Sequence, residues 1–195
     1  MDLLSIADQN QQLAFNLLQE AQLIEAWQKI GATIHIVGSL KSGLMMKNLD
    51  IDLHIYTEKL QVAESFSVMQ ELAERLCLTD IQYKNLIDTE EECIEWHASY
   101  KDKEMNVWKF DMIHIRKGSK YDGVVERVTD AVASKLTPEL RRIILQIKFD
   151  VPRGTIIPGI EIYQAVFTGK VKSYAELEQW RSSHPLTNSL DWMPG

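Results

Sequence analysis

Two β-prone runs separated by a glycine turn constrain this chain more tightly than any other stretch. Thr33-Ile34-His35-Ile36-Val37 is short and β-branched, and it stops at Gly38-Ser39. After ten further residues, Asp50-Ile51-Asp52-Leu53-His54-Ile55-Tyr56 alternates polar with apolar. Side chains two apart on a strand point to one face. Ile51, Leu53 and Ile55 therefore form one apolar face, and Asp50 and Asp52 aim their carboxylates together from the other. A third run, Asn106 to Ile115, is rich in β-branched and aromatic residues and puts Val107, Lys109, Asp111 and Ile113 on one face. Asp111 is thus an acid within a mostly apolar strand, where an unpaired charge is costly.

These residue types in this order suit one kind of chemistry. Two adjacent carboxylates repel each other unless a cation sits between them. Mg2+ takes oxygen ligands and typically combines one or two carboxylates with substrate phosphates. Gly38 permits a tight turn and close approach of a ligand to the backbone, and main-chain N–H groups opening a short helix after it are suited to phosphate oxygens. The Ser39 hydroxyl adds a donor, and Lys41 and Lys47 lie in the same connection as candidate phosphate contacts. Asp80 and Asp150 are rival third acids, but both sit at the ends of predicted elements, where capping or turn roles are commoner.

Gly38-Ser39, Asp50-Ile51-Asp52-Leu53 and Asp111, with Gly43 in the spacer, resemble the nucleotidyltransferase superfamily that includes DNA polymerase beta, kanamycin nucleotidyltransferase, poly(A) polymerases and tRNA CCA-adding enzymes. The resemblance covers about residues 30–115 and looks like that of a small bacterial member. It implies an α/β (α+β) fold, a mixed sheet flanked by helices with a C-terminal helical portion. It also implies a metal-dependent enzyme that transfers a nucleoside monophosphate from a nucleoside triphosphate (ATP among the candidates) to an acceptor hydroxyl, releasing pyrophosphate. On this resemblance Asp50 and Asp52 bind two Mg2+ ions. Asp111 completes the site as ligand of the activating ion and candidate proton acceptor. Gly38 and Ser39 hold the β- and γ-phosphates, with Lys41 beside them.

Composition narrows the partners. A net charge of −7 over 195 residues argues against a broad basic surface. A small-molecule acceptor is therefore expected, and a long nucleic acid is not. The two cysteines, Cys77 and Cys93, are too few for a disulfide framework and are not spaced for zinc. Cys77 sits in an apolar helical run and reads as a small buried residue. The start of the chain lacks a basic and apolar leader, and no apolar run approaches membrane-spanning length. The expectation is a cytoplasmic protein without membrane association, and an oligomer is compatible with the resemblance.

The periodicities predict a helix over 8–30, strands over 32–37 and 50–56, and a helix over 62–78 with Phe66 turned inward. Strands are expected near 81–87, 93–100 and 105–115. From about 122 the pattern is helical, with Thr137 as N-cap and Pro138 in the first turn of a helix running to about Lys148. Pro152, Gly154, Pro158 and Gly159 mark a loop. Two short helices follow at 160–167 and 173–180, then a tail from His184 to Gly195 with little periodicity. The domain expectation is an α/β core over 1–120 and a helical portion over 121–195. The basic loop Arg116 to Gly123 reads as a solvated linker, with phosphate contact as the alternative. Arg141 and Arg142 read as solvated, and Tyr163, Tyr174, Trp180 and Trp192 as helix packing, with an acceptor pocket as the alternative.

Three other readings stay open: a catalytically inactive nucleotide-binding protein of the same fold, an antitoxin-type enzyme acting on a protein or tRNA, and an interaction protein in which the aspartates do nothing.

Overall fold

The computed structural model describes residues 2–185 and 192–194 of the 195-residue chain, so the expected tail falls mostly outside the described residues. Five strands form one mixed sheet in the order β1-β2-β5-β4-β3. They are β1 (Thr33–Ile36), β2 (Leu49–Thr57), β3 (Asp80–Leu86), β4 (Cys93–Lys101) and β5 (Val107–Arg116). β2 and β5 run parallel at the centre; the other neighbours pair antiparallel.

The alternation in β2 decides which way its acids face. Ile51, Leu53 and Ile55 are fully buried, as are Phe110 and Met112 of β5. They pack with Leu17 from α1 (Leu3–Glu20), Trp27 from α2 (Leu23–Gln28), and Met69 and Leu72 from α4 (Val62–Leu76) into the main core. Burying each such side chain contributes about 1.5–3 kcal/mol. A one-residue slip of β2 would exchange these apolar groups for Asp50, Asp52 and His54, so the register is held by the core and the acids are carried to the opposite face.

The predicted helix over 8–30 is two helices. The chain turns at Gln22, which has φ 47°. Arg75 from α4 donates to the Ala21 carbonyl, which the break leaves without a helical donor, at 2.9 Å, and to the Gln22 carbonyl, which also accepts from the Ala26 N–H, at 3.2 Å. Phe66 is not inward but 46% exposed; its ring lies 4.7 Å from that of Trp96 and 4.8 Å from that of Tyr83, so the aromatic contact across the sheet end outweighs the helical pattern. Cys77 is exposed rather than buried, because it leaves α4 as a left-handed C-cap with φ 50°.

Four further helices follow: α5 (Val124–Lys135), α6 (Pro138–Asp150), α7 (Gly159–Phe167) and α8 (Tyr174–Ser183). Thr137 caps α6, its hydroxyl accepting from the Leu140 N–H at 3.2 Å. These helices share a second core with the start of α1 and with Leu44 and Met46 from the connection after the Gly38 turn.

Candidate active site

The Gly38-Ser39 turn begins a five-residue helix, α3 (Gly38–Ser42), which ends at Gly43 in the left-handed conformation. The turn is joined to β2 by the Val37 N–H, which donates to the Asp52 carbonyl at 3.0 Å. Gly38 has φ +65°, and a β-carbon built on it would fall within contact distance of the Asp52 carboxylate. Only glycine suits both conditions.

The segment after the turn has no ladder partner for its carbonyls, and side chains from α1 and α6 supply one. Gln11 donates to Leu40 O at 2.7 Å, Asn10 to Met46 O at 2.8 Å and Lys148 to Leu44 O at 2.8 Å. Arg141 donates to Gly43 O at 3.2 and 3.0 Å and also pairs with Asp8. Arg141 is therefore a structural clamp and not the solvated residue that its helical position suggested.

Asp52 and Asp111 are direct neighbours in the parallel β2–β5 register, and Asp50 lies one pleat along. All three line one cavity of about 740 Å3, together with Gly38, Ser39, Lys47 and Lys148. That volume suits a nucleotide-sized ligand. Its apolar wall includes Val125, Val128 and Val132 of α5 and Ile160 of α7, so the helices after residue 120 complete the site. Lys41 is elsewhere: it pairs with Asp130 at 3.5 Å and does not line the cavity. The cations of the basic loop are also turned away, Lys117 to Glu58 and Lys120 to Glu90. Asp80 and Asp150 are exposed and outside the cavity.

The electrostatics favour a cation. Burial, then the nearby Asp111 and Asp50, push the Asp52 carboxyl up to about 7. Burial also raises Asp50, against the opposing field of Lys109. Among the described residues no three carboxylate, imidazole or thiolate groups converge closely enough to hold a metal ion alone. The donor set nevertheless fits Mg2+, which uses few carboxylates and takes the remaining oxygens from phosphate.

Several participants carry no local signature. Lys148, in the last turn of α6, sends its field onto both Asp50 and Asp52 and reaches the Tyr163 hydroxyl at 3.4 Å. Tyr163 lines the cavity, which fits the acceptor-pocket alternative for that residue alone among the four aromatics considered. Thr129 of α5 accepts from the Gly38 N–H at 3.3 Å. His97 Nδ1 lies 2.5 Å from Asp111 Oδ1, whereas Arg116, at the end of the same strand, pairs with Glu92. His54 lines the cavity beside Asp52, with Nδ1 at 3.1 Å from Glu126.

Solved structures with this arrangement are distant in sequence. The Cid1 poly(U) polymerase bound to MgATP superposes with a TM-score of 0.60 at 16% identity, covering 82% of this chain and 50% of that one. The non-canonical poly(A) polymerase GLD-2 in complex with GLD-3 gives 0.56 at 15% identity, covering 98% and 67%. The chain thus spans half the length of the Cid1 chain. At these identities the likeness establishes the fold. No curated protein matches the sequence. Residues 20–146, well over half of the chain and inclusive of the turn and all three acids, match the model of the nucleotidyltransferase domain. With that match added to the sheet, the turn and the acid pair, the chain belongs to the nucleotidyltransferase domain family.

Proposed function

We propose that this protein is a Mg2+-dependent nucleotidyltransferase that moves a nucleoside monophosphate from a nucleoside triphosphate to a hydroxyl acceptor. The observation that carries the proposal is the in-register pair Asp52–Asp111, with Gly38 pressed against Asp52, at the floor of a nucleotide-sized cavity. Mg2+ held there with the triphosphate would neutralise charge on the attacking and leaving oxygens. Asp50 and Asp52 would hold that cation from β2. Gly38 and Ser39 let the phosphates approach the backbone, and Lys148, which also lines the cavity, supplies positive charge. Asp111, beside Asp52 on β5, would hold a second Mg2+ ion that activates the acceptor hydroxyl. The apolar wall of α5 and α7 excludes water from the sugar and base.

The acceptor is left unassigned. Net negative charge favours a small acceptor, but the two structural relatives are a poly(U) polymerase and a poly(A) polymerase, so the charge does not exclude a nucleic acid.

The test is thermal stabilisation of wild type and Asp52→Asn by each of four ribonucleoside triphosphates with and without Mg2+. Ligand bound only to the native state raises stability according to its concentration relative to Kd. A Mg2+-dependent shift with at least one triphosphate, lost in the variant, is expected. Pyrophosphate release in the presence of candidate acceptors then separates a transferase from a binding protein. No shift with any triphosphate would overturn the proposal.

A further inference from the structure

Asp111 is held from outside the nucleotide cavity. His97 stands directly opposite it in the antiparallel β4–β5 register, and His97 Nδ1 lies 2.5 Å from Asp111 Oδ1. Asp111 lines the cavity, and His97 does not. The imidazole is 43% exposed on the open part of the sheet, where its Nε2 comes within 3.8 Å of Glu95 Oε2. An ionised carboxylate only accepts, so the imidazole carries a hydrogen on Nδ1 and donates it.

We propose that His97 is a positioning residue: it fixes one oxygen of Asp111 so that the other is presented to a divalent cation shared with the substrate. The inference rests on the metal-binding role proposed for Asp111. Three features support it. A half-exposed ion pair contributes only about 0–1 kcal/mol to stability, so the fold has little need of it. The strand register makes His97 the residue opposite Asp111, at the short separation of cross-strand pairs. Finally, no other hydrogen bond to the Asp111 carboxylate occurs among the described residues, so without His97 its rotamer would be set by the ion alone. Carboxylate ligands are ordinarily oriented by such outer partners, and their loss typically weakens metal binding about 10–100-fold.

The geometry makes a specific demand. The amide nitrogen of asparagine stands as far from its β-carbon as Nδ1 of histidine, whereas that of glutamine is one bond farther out. Asparagine can therefore replace the contact, and glutamine cannot do so without moving Asp111.

The experiment counts Mn2+ ions bound by the full chain, by electron paramagnetic resonance, with each of four α,β-methylene ribonucleoside triphosphates. It compares wild type, Asp111→Asn, His97→Ala, His97→Asn and His97→Gln. Wild type should bind two ions, and Asp111→Asn should lose the weaker one. His97→Ala and His97→Gln should weaken that ion about 10–100-fold, with His97→Asn within a few-fold of wild type. Affinity for the analogue without metal should be the same in all His97 variants, which a general loss of folding would not permit. If Asp111→Asn loses the ion while His97→Ala binds it as wild type does, or if glutamine rescues as well as asparagine, the His97 role is overturned and the function of Asp111 stands. If wild type binds no second ion, or Asp111→Asn binds it unchanged, the metal-binding role of Asp111 falls and the His97 inference falls with it.

Discussion

The Asp52 carboxylate lies against the α-carbon of Gly38, so tightly that a β-carbon there would overlap Oδ2. The turn and the acid strand therefore share one space, and the backbone at Gly38 also has a positive φ of 65°. Alanine in the left-handed region costs about 1–2 kcal/mol before any contact is counted. Asp52 cannot yield easily, because Ile51 and Leu53 on either side are locked in the core. Gly38→Ala is therefore expected to lower stability by at least about 1–2 kcal/mol in urea unfolding and to abolish the Mg2+-triphosphate thermal shift. A variant with wild-type stability and an intact shift would show that Asp52 and Gly38 do not meet in solution.

Arg141 gives a second prediction, remote from the carboxylates. Its guanidinium satisfies Gly43 O and pairs with Asp8, joining the end of the Gly38 turn to α1 and α6. Arg141→Ala leaves a largely buried carbonyl without a donor, a loss of about 1–3 kcal/mol. The turn should also become mobile, so triphosphate affinity should fall while the acids remain in place. Arg141→Lys retains charge but not the paired donors and should restore only part of either effect. Unchanged urea stability and nucleotide affinity in Arg141→Ala would count against the clamp.

The contrast between Asp52 and Arg141 explains how much the sequence disclosed. Period-two alternation fixes the faces of β2 and β5, because a slipped register buries charge, so the acid pair and the sheet that carries it were legible. The glycine at Gly38 was legible for the same reason: few residues tolerate its conformation. Arg141 and Lys148 were not, since each acts across a long sequence separation on a backbone carbonyl with no pattern of its own; His97 was not, since nothing in the sequence fixes the β4–β5 register that sets it opposite Asp111. Gly43 is 98 residues from Arg141, and nothing local in α6 marks that partner. The break at Gln22 was hidden likewise, since Arg75, 53 residues on, caps the severed helix. Lys41 was misplaced because a short helix follows Gly38, and its turn carries the side chain towards Asp130.

The last prediction concerns the metal-free protein. Burial and the neighbouring acids raise Asp52 from 3.8 to about 7. Between these values the folded state holds a proton that the unfolded chain has released, so this group stabilises the fold as pH falls and destabilises it as pH rises towards 7. Asp52→Asn removes the ionisation. With divalent cations chelated, the variant should be more stable than wild type above pH 7, by up to about 4 kcal/mol at pH 8, and the gap should shrink below about 1 kcal/mol near pH 4. Other groups oppose this trend, among them His114, which burial lowers to about 4. The informative quantity is therefore the difference between the two proteins in urea unfolding across pH. Mg2+ with a bound triphosphate should reverse the order at pH 8, making wild type the more stable. A difference that does not change with pH would mean that Asp52 is solvated like an ordinary surface carboxylate and is not a group held in wait for a cation.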